Sequence, residues 1–194
     1  TTFDSGGTTC AALVGDASAI YCRAGGSIVT WTYGTHVKTV LHTGLPPGGA
    51  LAVFGGKIYV SDETNTTAVI RSVDVTGDGG VPSTTLVVPN VFDPPRPLLA
   101  GPARLYWIER SAGDVGVAKL ASRLGGNPDA LGAARTGLAF LSLDPASSTT
   151  AWVGVRSPIV GGSEIIRAAN LTTSLFRTGI TGLGGVTSSG SAVY

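Results

Sequence analysis

Short apolar segments that end in an aromatic residue recur along the chain. They are Ile20-Tyr21, Ile58-Tyr59, Leu105-Tyr106, Ala151-Trp152 and Val193-Tyr194. The aromatic residues lie 38, 47, 46 and 42 positions apart. A period of roughly 40 to 50 residues is typical of β-propellers and similar repeat proteins. The pattern therefore predicts a repeat protein with four complete repeats and a partial fifth.

Each repeat contains four short segments that favour β-strands, separated by Gly, Pro, Asn, Asp and Ser. In the first repeat the third and fourth segments are 28–30 and 37–41. Four such segments describe a four-stranded antiparallel propeller blade, with strands A to D named from the centre outward. The fourth segment of the third repeat, 130–134, is weak. No stretch of about a dozen residues keeps its apolar positions at helical spacing, so we expect an all-β protein.

The tripeptide Thr-Gly-Leu closes three of the repeats, at 43–45, 136–138 and 181–183. The chain is therefore expected to form one β-propeller domain, 1–194, whose repeats span 8–45, 46–91, 92–137, 138–182 and, in part, 183–194. Residues 1–9 would close a five-bladed ring by adding a strand to the partial blade. The alternative is a fragment of a larger propeller, and an open ring would self-associate through its unpaired edges.

The third repeat carries a motif that resembles known propeller repeats. Leu105-Tyr106-Trp107-Ile108-Glu109-Arg110, followed by Val117-Ala118-Lys119, is similar to the degenerate YWTD-like and NHL-like repeats of secreted bacterial proteins. Ile108-Glu109 stands where the YWTD pattern has Thr-Asp. The resemblance covers nearly the whole chain, and it implies a propeller outside the cytoplasm without implying a particular ligand.

The composition excludes several classes of function. Charged residues make up 13% of the chain and the net charge is +1, which leaves no basic stripe for nucleic acid. No apolar run approaches the roughly 18 residues that span a bilayer. The chain begins at Thr1 and contains no Met, which fits a mature secreted polypeptide or a trimmed fragment. We expect a protein that is secreted, periplasmic or on the cell surface.

Cys10 and Cys22 are the two cysteines of the chain. A single pair flanking the first hairpin of a secreted chain predicts a disulfide, whereas two small buried apolar residues are the alternative. If the turn is 16–19, Leu13 rather than Cys10 faces Cys22. The bond then requires the segment before Leu13 to fold back, or a different turn.

The sequence contains none of the usual signatures of nucleophilic, phosphate-binding or zinc sites, so we predict no catalytic residue, no metal site and no cofactor. His36 is expected in the turn between strands C and D of the first repeat. His42 is expected in strand D of the same repeat, so both lie far from the centre of a propeller.

Candidate binding residues cluster where the loops between strands B and C and the linkers between blades open on one face. Loops on a rigid scaffold commonly carry the binding residues of a propeller. The predicted binding residues on this face are Asp62, Glu63, Asn65, Asp93, Arg96, Glu109, Arg110 and Arg156.

Two functions fit this arrangement. The first is a non-catalytic extracellular module that recognises a glycan or a protein through this face. The alternative is a lactonase-like or lyase-like propeller enzyme with its site in the central channel. The predicted starts of the innermost strands are 49–51, 97–99, 138–140 and 184–186, which are largely apolar and have only Asp93 nearby. A metal site needs several converging oxygens, so binding is favoured.

Overall fold

The computed structural model describes residues 7–46, 49–64, 67–77, 83–89, 96–111, 114–144, 147, 149–157, 161–169, 171–189 and 192–194. These residues form antiparallel β-sheets and contain no α-helix. Each complete sheet is a blade whose strands pair in chain order, as the sequence predicts.

The first two blades are regular four-stranded sheets. Blade 1 consists of β1 (Ala12–Gly15), β2 (Ala19–Ala24), β3 (Ser27–Thr32) and β4 (Lys38–His42). Blade 2 consists of β5 (Leu51–Phe54), β6 (Lys57–Thr64), β7 (Thr67–Asp74) and β8 (Ser83–Pro89). His36 lies in the turn between β3 and β4, and His42 ends β4, in agreement with the sequence.

The next two blades are followed by a partial blade. Blade 3 consists of β9 (Leu98–Ala100), β10 (Arg104–Arg110), β11 (Val115–Ser122), β12 (Asp129–Ala130) and β13 (Arg135–Thr136). Blade 4 consists of β14 (Leu138–Leu143), β15 (Thr150–Val155), β16 (Ser163–Ala169) and β17 (Thr172–Ile180). The partial blade consists of β18 (Ser188–Ser189) and β19 (Ala192–Val193). The sequence predicts one fourth strand at 130–134, but β12 ends at Ala130 and β13 begins at Arg135, and both of these short strands pair with β11.

The first strands of successive blades contact one another, β1 with β5, β5 with β9 and β9 with β14. These strands therefore lie on the inside of the curve, and the fourth strands lie outside. The partial blade packs on blade 4, where the Ser188 hydroxyl donates a hydrogen bond to the Leu143 carbonyl. The arrangement is that of a β-propeller with four blades and part of a fifth.

The recurring aromatic residues anchor the packing between blades. Tyr21, Tyr59, Tyr106 and Trp152 are buried, and the first three belong to clusters that each combine side chains from two neighbouring blades. Blades 2 and 3 have a neighbouring blade on each face, so their middle strands bury apolar side chains on both faces. Tyr194 is 70% exposed, because it ends the two-stranded partial blade.

The Thr-Gly-Leu tripeptides fix the passage from one blade to the next. Their glycines have positive φ angles, which is backbone that residues with a Cβ rarely adopt. The angles are 78° at Gly44, 76° at Gly137 and 68° at Gly182. The leucine that follows each glycine is buried, at Leu45, Leu138 and Leu183. The tripeptide therefore turns the chain and inserts one apolar side chain into the core.

The predicted disulfide between Cys10 and Cys22 is confirmed. The Sγ–Sγ distance is 2.04 Å and the Cα atoms are 5.5 Å apart. Leu13 does pair with Cys22, so the hairpin keeps its expected register. The backbone N–H of Ala11 donates to the Arg23 carbonyl at 2.8 Å, which brings the segment before β1 back along β2. The fold-back, and not a different turn, makes the bond.

Candidate binding face

We call the surface formed by the hairpins between strands B and C and by the linkers between blades the B–C face. Its hairpins are tighter than the sequence suggests, because β6 contains Asp62 and Glu63 and β10 contains Glu109 and Arg110, four residues that were expected in loops. β6 pairs with β7 as far as Thr64 and Thr67, so only two residues of the chain separate the two strands. Side chains expected in exposed loops therefore lie on strands.

The expectation that Asp62 lies in an exposed loop is wrong. Asp62 belongs to β6 and is fully buried. Glu63 is also in β6. Asn65 and Asp93 lie outside the described residues. The remaining four predicted residues lie at this face: Arg96 just before β9, Glu109 and Arg110 at the end of β10, and Arg156 directly after β15.

A buried ionic cluster between blades 1 and 2 accounts for the position of Asp62. Its Oδ1 accepts from Arg23 Nη2 at 3.3 Å, and its Oδ2 accepts from Arg71 Nε at 2.7 Å. Arg23 is as fully buried as Asp62, whereas the side chain of Arg71 is 28% exposed. Arg23 also donates to the Pro46 carbonyl. A charge without solvent requires such partners, so the cluster joins β2, β6 and β7.

Burial sets the direction of both pKa shifts in this cluster. Desolvation raises the pKa of Asp62 above its ordinary value, and the Arg71 and Arg23 guanidiniums work against that shift. Desolvation also lowers the pKa of Arg23, opposed by the Asp62 charge. Burial therefore disfavours the charged forms of both Asp62 and Arg23, and the opposite charge of the partner favours them.

Arginines at the B–C face repeat one contact that the sequence analysis did not identify. Arg23 donates to the Pro46 carbonyl, Arg110 Nη2 donates to the Leu138 carbonyl at 2.7 Å, and Arg156 Nε donates to the Leu183 carbonyl at 3.3 Å. Each acceptor is the leucine of a Thr-Gly-Leu tripeptide or the residue after it. Strand B of one blade therefore holds the start of the next blade. The common signal in the sequence is an arginine two or four residues after the recurring aromatic residue.

A cavity of about 410 Å³ opens on the B–C face between blades 3 and 4. Two of the predicted residues, Arg110 and Arg156, line it. The other lining residues are Asp114, Thr136, Gly137, Leu138, Ala139 and Ser157. Arg110 Nη1 forms an ion pair with Asp114 Oδ1, so these two charges compensate each other. The cavity thus combines the apolar residues Leu138 and Ala139 with the ion-paired guanidinium of Arg110 and the guanidinium of Arg156.

Arg156 is held in place from two directions. Its guanidinium lies over the ring of Phe140, 4.9 Å from the ring centroid, and its Nε donates to Leu183. Such stacking orients the plane of a guanidinium and adds a cation–π attraction. Within the described part of the chain, neither Nη atom of the exposed Arg156 has a hydrogen-bond partner.

Glu109 lies away from this cavity, although it is the neighbour of Arg110. Successive residues of a strand point to opposite faces of the sheet. Arg110 lines the cavity on the blade 4 side, and Glu109 therefore points toward blade 2, where its Oε2 is 3.9 Å from Lys119 Nζ. Desolvation raises the pKa of Glu109, and the Lys119 charge opposes the shift. The structure thus separates Glu109 from Arg110 and Arg156.

Among the described residues, no group of three or more His, Cys, Asp or Glu side chains is placed to hold a metal ion. In the same part of the chain, no helix has the length and apolar character needed to cross a membrane.

Comparisons with known proteins identify the fold. No protein-family model and no curated protein sequence matches this chain. A solved structure of a nidogen/laminin complex is similar at a TM-score of 0.69 and 20% identity, over 96% of this chain and 71% of that one. The hydrazine synthase of Kuenenia stuttgartiensis is similar at a TM-score of 0.64 and 12% identity, over 97% and 54%.

A third similar structure is the extracellular domain of a hybrid two-component system from B. thetaiotaomicron. Its TM-score is 0.60 and its identity 10%, over 93% of this chain and 24% of that one. At such identities the likeness extends to the fold alone. Because the three structures have different functions, the fold leaves the activity open. What the comparisons and the blade topology together establish is an all-β chain of the β-propeller class.

Proposed function

We propose that this protein is a non-catalytic binding propeller that works outside the cytoplasm and recognises a protein through the B–C face. The observation that supports this most is the cavity between blades 3 and 4, which lies on the predicted face and contains Arg110 and Arg156. A binding site on a rigid scaffold is typically a preformed concavity with a few convergent polar groups. The proposal includes the YWTD-like and NHL-like character of the repeats and a secreted bacterial origin.

Two further findings support an extracellular protein partner. The Cys10–Cys22 disulfide fits an oxidising compartment. A similar structure is that of a nidogen/laminin complex, and another is an extracellular domain. The groups that line the cavity suit recognition, because a guanidinium presents several N–H donors in a fixed geometry and Asp114 is already paired with Arg110.

The test selects random linear peptides, displayed on phage, against the immobilised full chain. Binding of the selected peptides is then measured on Thr136→Tyr, which adds a large side chain to an exposed residue that lines the cavity. The matched control is Thr39→Tyr, the same substitution at an exposed residue of β4 in blade 1. We expect Thr136→Tyr to abolish binding and Thr39→Tyr to leave it unchanged. Thermal unfolding of both variants shows whether each keeps the fold.

Other outcomes would contradict the proposal. Peptides that bind Thr136→Tyr as well as they bind the natural chain would show that this face is not the binding surface. Glycans that bind the chain in an array and lose binding in Thr136→Tyr, when no peptide does, would identify a glycan module. Turnover of a lactone or a uronate polymer that chelator abolishes would favour a propeller enzyme.

A further inference from the structure

Three arginines of the B–C face, Arg23, Arg110 and Arg156, contact the next blade, and they use their guanidiniums differently. Arg23 is buried against Asp62 and Pro46. Arg110 uses Nη1 on Asp114 and Nη2 on Leu138. Arg156, which lines the cavity, makes the same kind of contact to the next blade with Nε, and its two Nη groups have no partner in the described part of the chain. It is therefore the arginine of this set that is available to a ligand.

The charge of the cavity favours an anionic ligand. Arg110 and Asp114 form an ion pair, so the positive charge of Arg156 is uncompensated among the lining residues. A carboxylate matches the fork of guanidinium N–H donors, and Arg–carboxylate pairs are frequently bidentate. Leu138 and Ala139 provide an apolar surface beside it, which suits the methylene groups of an acidic side chain.

We propose that Arg156 is the specificity-determining residue of the face and binds the carboxylate of an Asp or Glu side chain on the protein partner. This inference rests on the proposed function and deepens it by naming the chemical group that is recognised. The stacking on Phe140 and the hydrogen bond to Leu183 hold the guanidinium before the ligand arrives, so little side-chain freedom is lost on binding.

The experiment uses the peptides selected on the full chain and two variants with opposite expected effects. Arg156→Gln removes the charge and should weaken binding of an acidic peptide about fivefold, as expected for a well-oriented pair near the surface. Asp114→Asn should strengthen binding of the acidic peptide, because it removes the negative charge that compensates Arg110. Asparagine tolerates the positive φ of 59° at this position, so the backbone should be unchanged. Arg167→Gln, at an exposed arginine in β16 of the same blade, is the control for net charge.

A double-mutant cycle links Arg156 to one position of the peptide. Replacing the selected Asp or Glu by Asn or Gln should cost about fivefold on the natural chain and nothing on Arg156→Gln. Opposite effects of Arg156→Gln and Asp114→Asn also separate recognition from a loss of folding, which would weaken binding in both variants.

The outcomes distinguish the inference from the function on which it rests. Peptides that lose binding in Thr136→Tyr but lack a fixed acidic residue, or that show no coupling to Arg156, overturn the carboxylate site and leave the binding face standing. Peptides that bind Thr136→Tyr as tightly as they bind the natural chain overturn both the carboxylate site and the binding face.

Discussion

Replacing Asp62 by Ala should destabilise the protein far more than a substitution at a surface carboxylate. The side chain of Asp62 is 0% exposed and accepts from Arg23, which is also 0% exposed, and from Arg71. Without Asp62, the guanidinium of Arg23 remains buried and loses its counter-charge. Arg71 is partly exposed and can be hydrated, so most of the cost comes from Arg23.

The expected loss follows from what is known of buried ion pairs. Removing one partner of such a pair costs about 3–5 kcal/mol, because it leaves an uncompensated charge in a medium of low polarity. The free energy of unfolding of a typical domain is only about 5–15 kcal/mol, so the substitution removes a large share of it. With an m-value of about 2–3 kcal/mol/M in urea, the midpoint should fall by roughly 1–2.5 M.

The assay is equilibrium unfolding in urea, which is uncharged and does not screen the ion pairs. The matched control is Asp74→Ala in the same blade, because Asp74 pairs with Lys57 at 3.0 Å and both side chains are about half exposed, at 51% and 45%. Exposed pairs contribute at most about 1 kcal/mol, so this midpoint should hardly move. A third variant, Asp62→Leu with Arg23→Met, removes both buried charges and should recover much of the lost stability.

Equal shifts of the midpoint in Asp62→Ala and Asp74→Ala would contradict this prediction. It is also refuted if the Asp62→Leu and Arg23→Met double variant is less stable than Asp62→Ala. The first result would mean that Asp62 is solvated, and the second that the buried charge of Arg23 is not the source of the cost.

Three further predictions concern other parts of the chain. Reduction of the Cys10–Cys22 disulfide should lower the free energy of unfolding by about 3 kcal/mol, measured in urea with and without reductant, and equal midpoints would refute it. The pKa of Glu109 is raised in the folded state, so the folded chain keeps this proton to a higher pH than the unfolded chain does. The resulting stabilisation is complete below the unfolded pKa of about 4.3. It is lost as the pH rises through the raised folded pKa. The stability of the natural chain relative to Glu109→Gln should therefore fall with rising pH in that window, and a difference that rises with pH would contradict it. Gly137→Ala should lower the midpoint of thermal unfolding far more than Gly182→Ala. Both glycines have positive φ, but a Cβ on Gly137 would lie 2.0 Å from the Arg156 carbonyl oxygen, whereas a Cβ on Gly182 would meet nothing within 4 Å. Equal midpoints of the two variants would contradict this prediction.

The sequence by itself determined the repeat and most of the strands. Antiparallel hairpins form between segments that adjoin in the chain, so the spacing of Tyr21, Tyr59 and Tyr106 and the turn residues between them specify the blades locally. The pairing of Cys10 with Cys22 was also predictable, because they are the two cysteines of the chain and they flank the first hairpin. The segment 130–134, predicted as the fourth strand of blade 3, does not form one continuous strand, because β12 ends at Ala130 and β13 begins at Arg135.

The tertiary structure alone decided which polar residues of the B–C face reach solvent. Asp62 is buried because Arg23 of the preceding blade, 39 residues earlier, supplies its counter-charge. The cavity beside Arg156 exists because Thr136 to Ala139, where the chain passes from β13 to β14, meets the ends of β10 and β15 between the two blades. Burial of a charge and the shape of a cavity depend on groups brought together by packing of whole blades, and the alternation of apolar and polar residues within one hairpin carries no information about them.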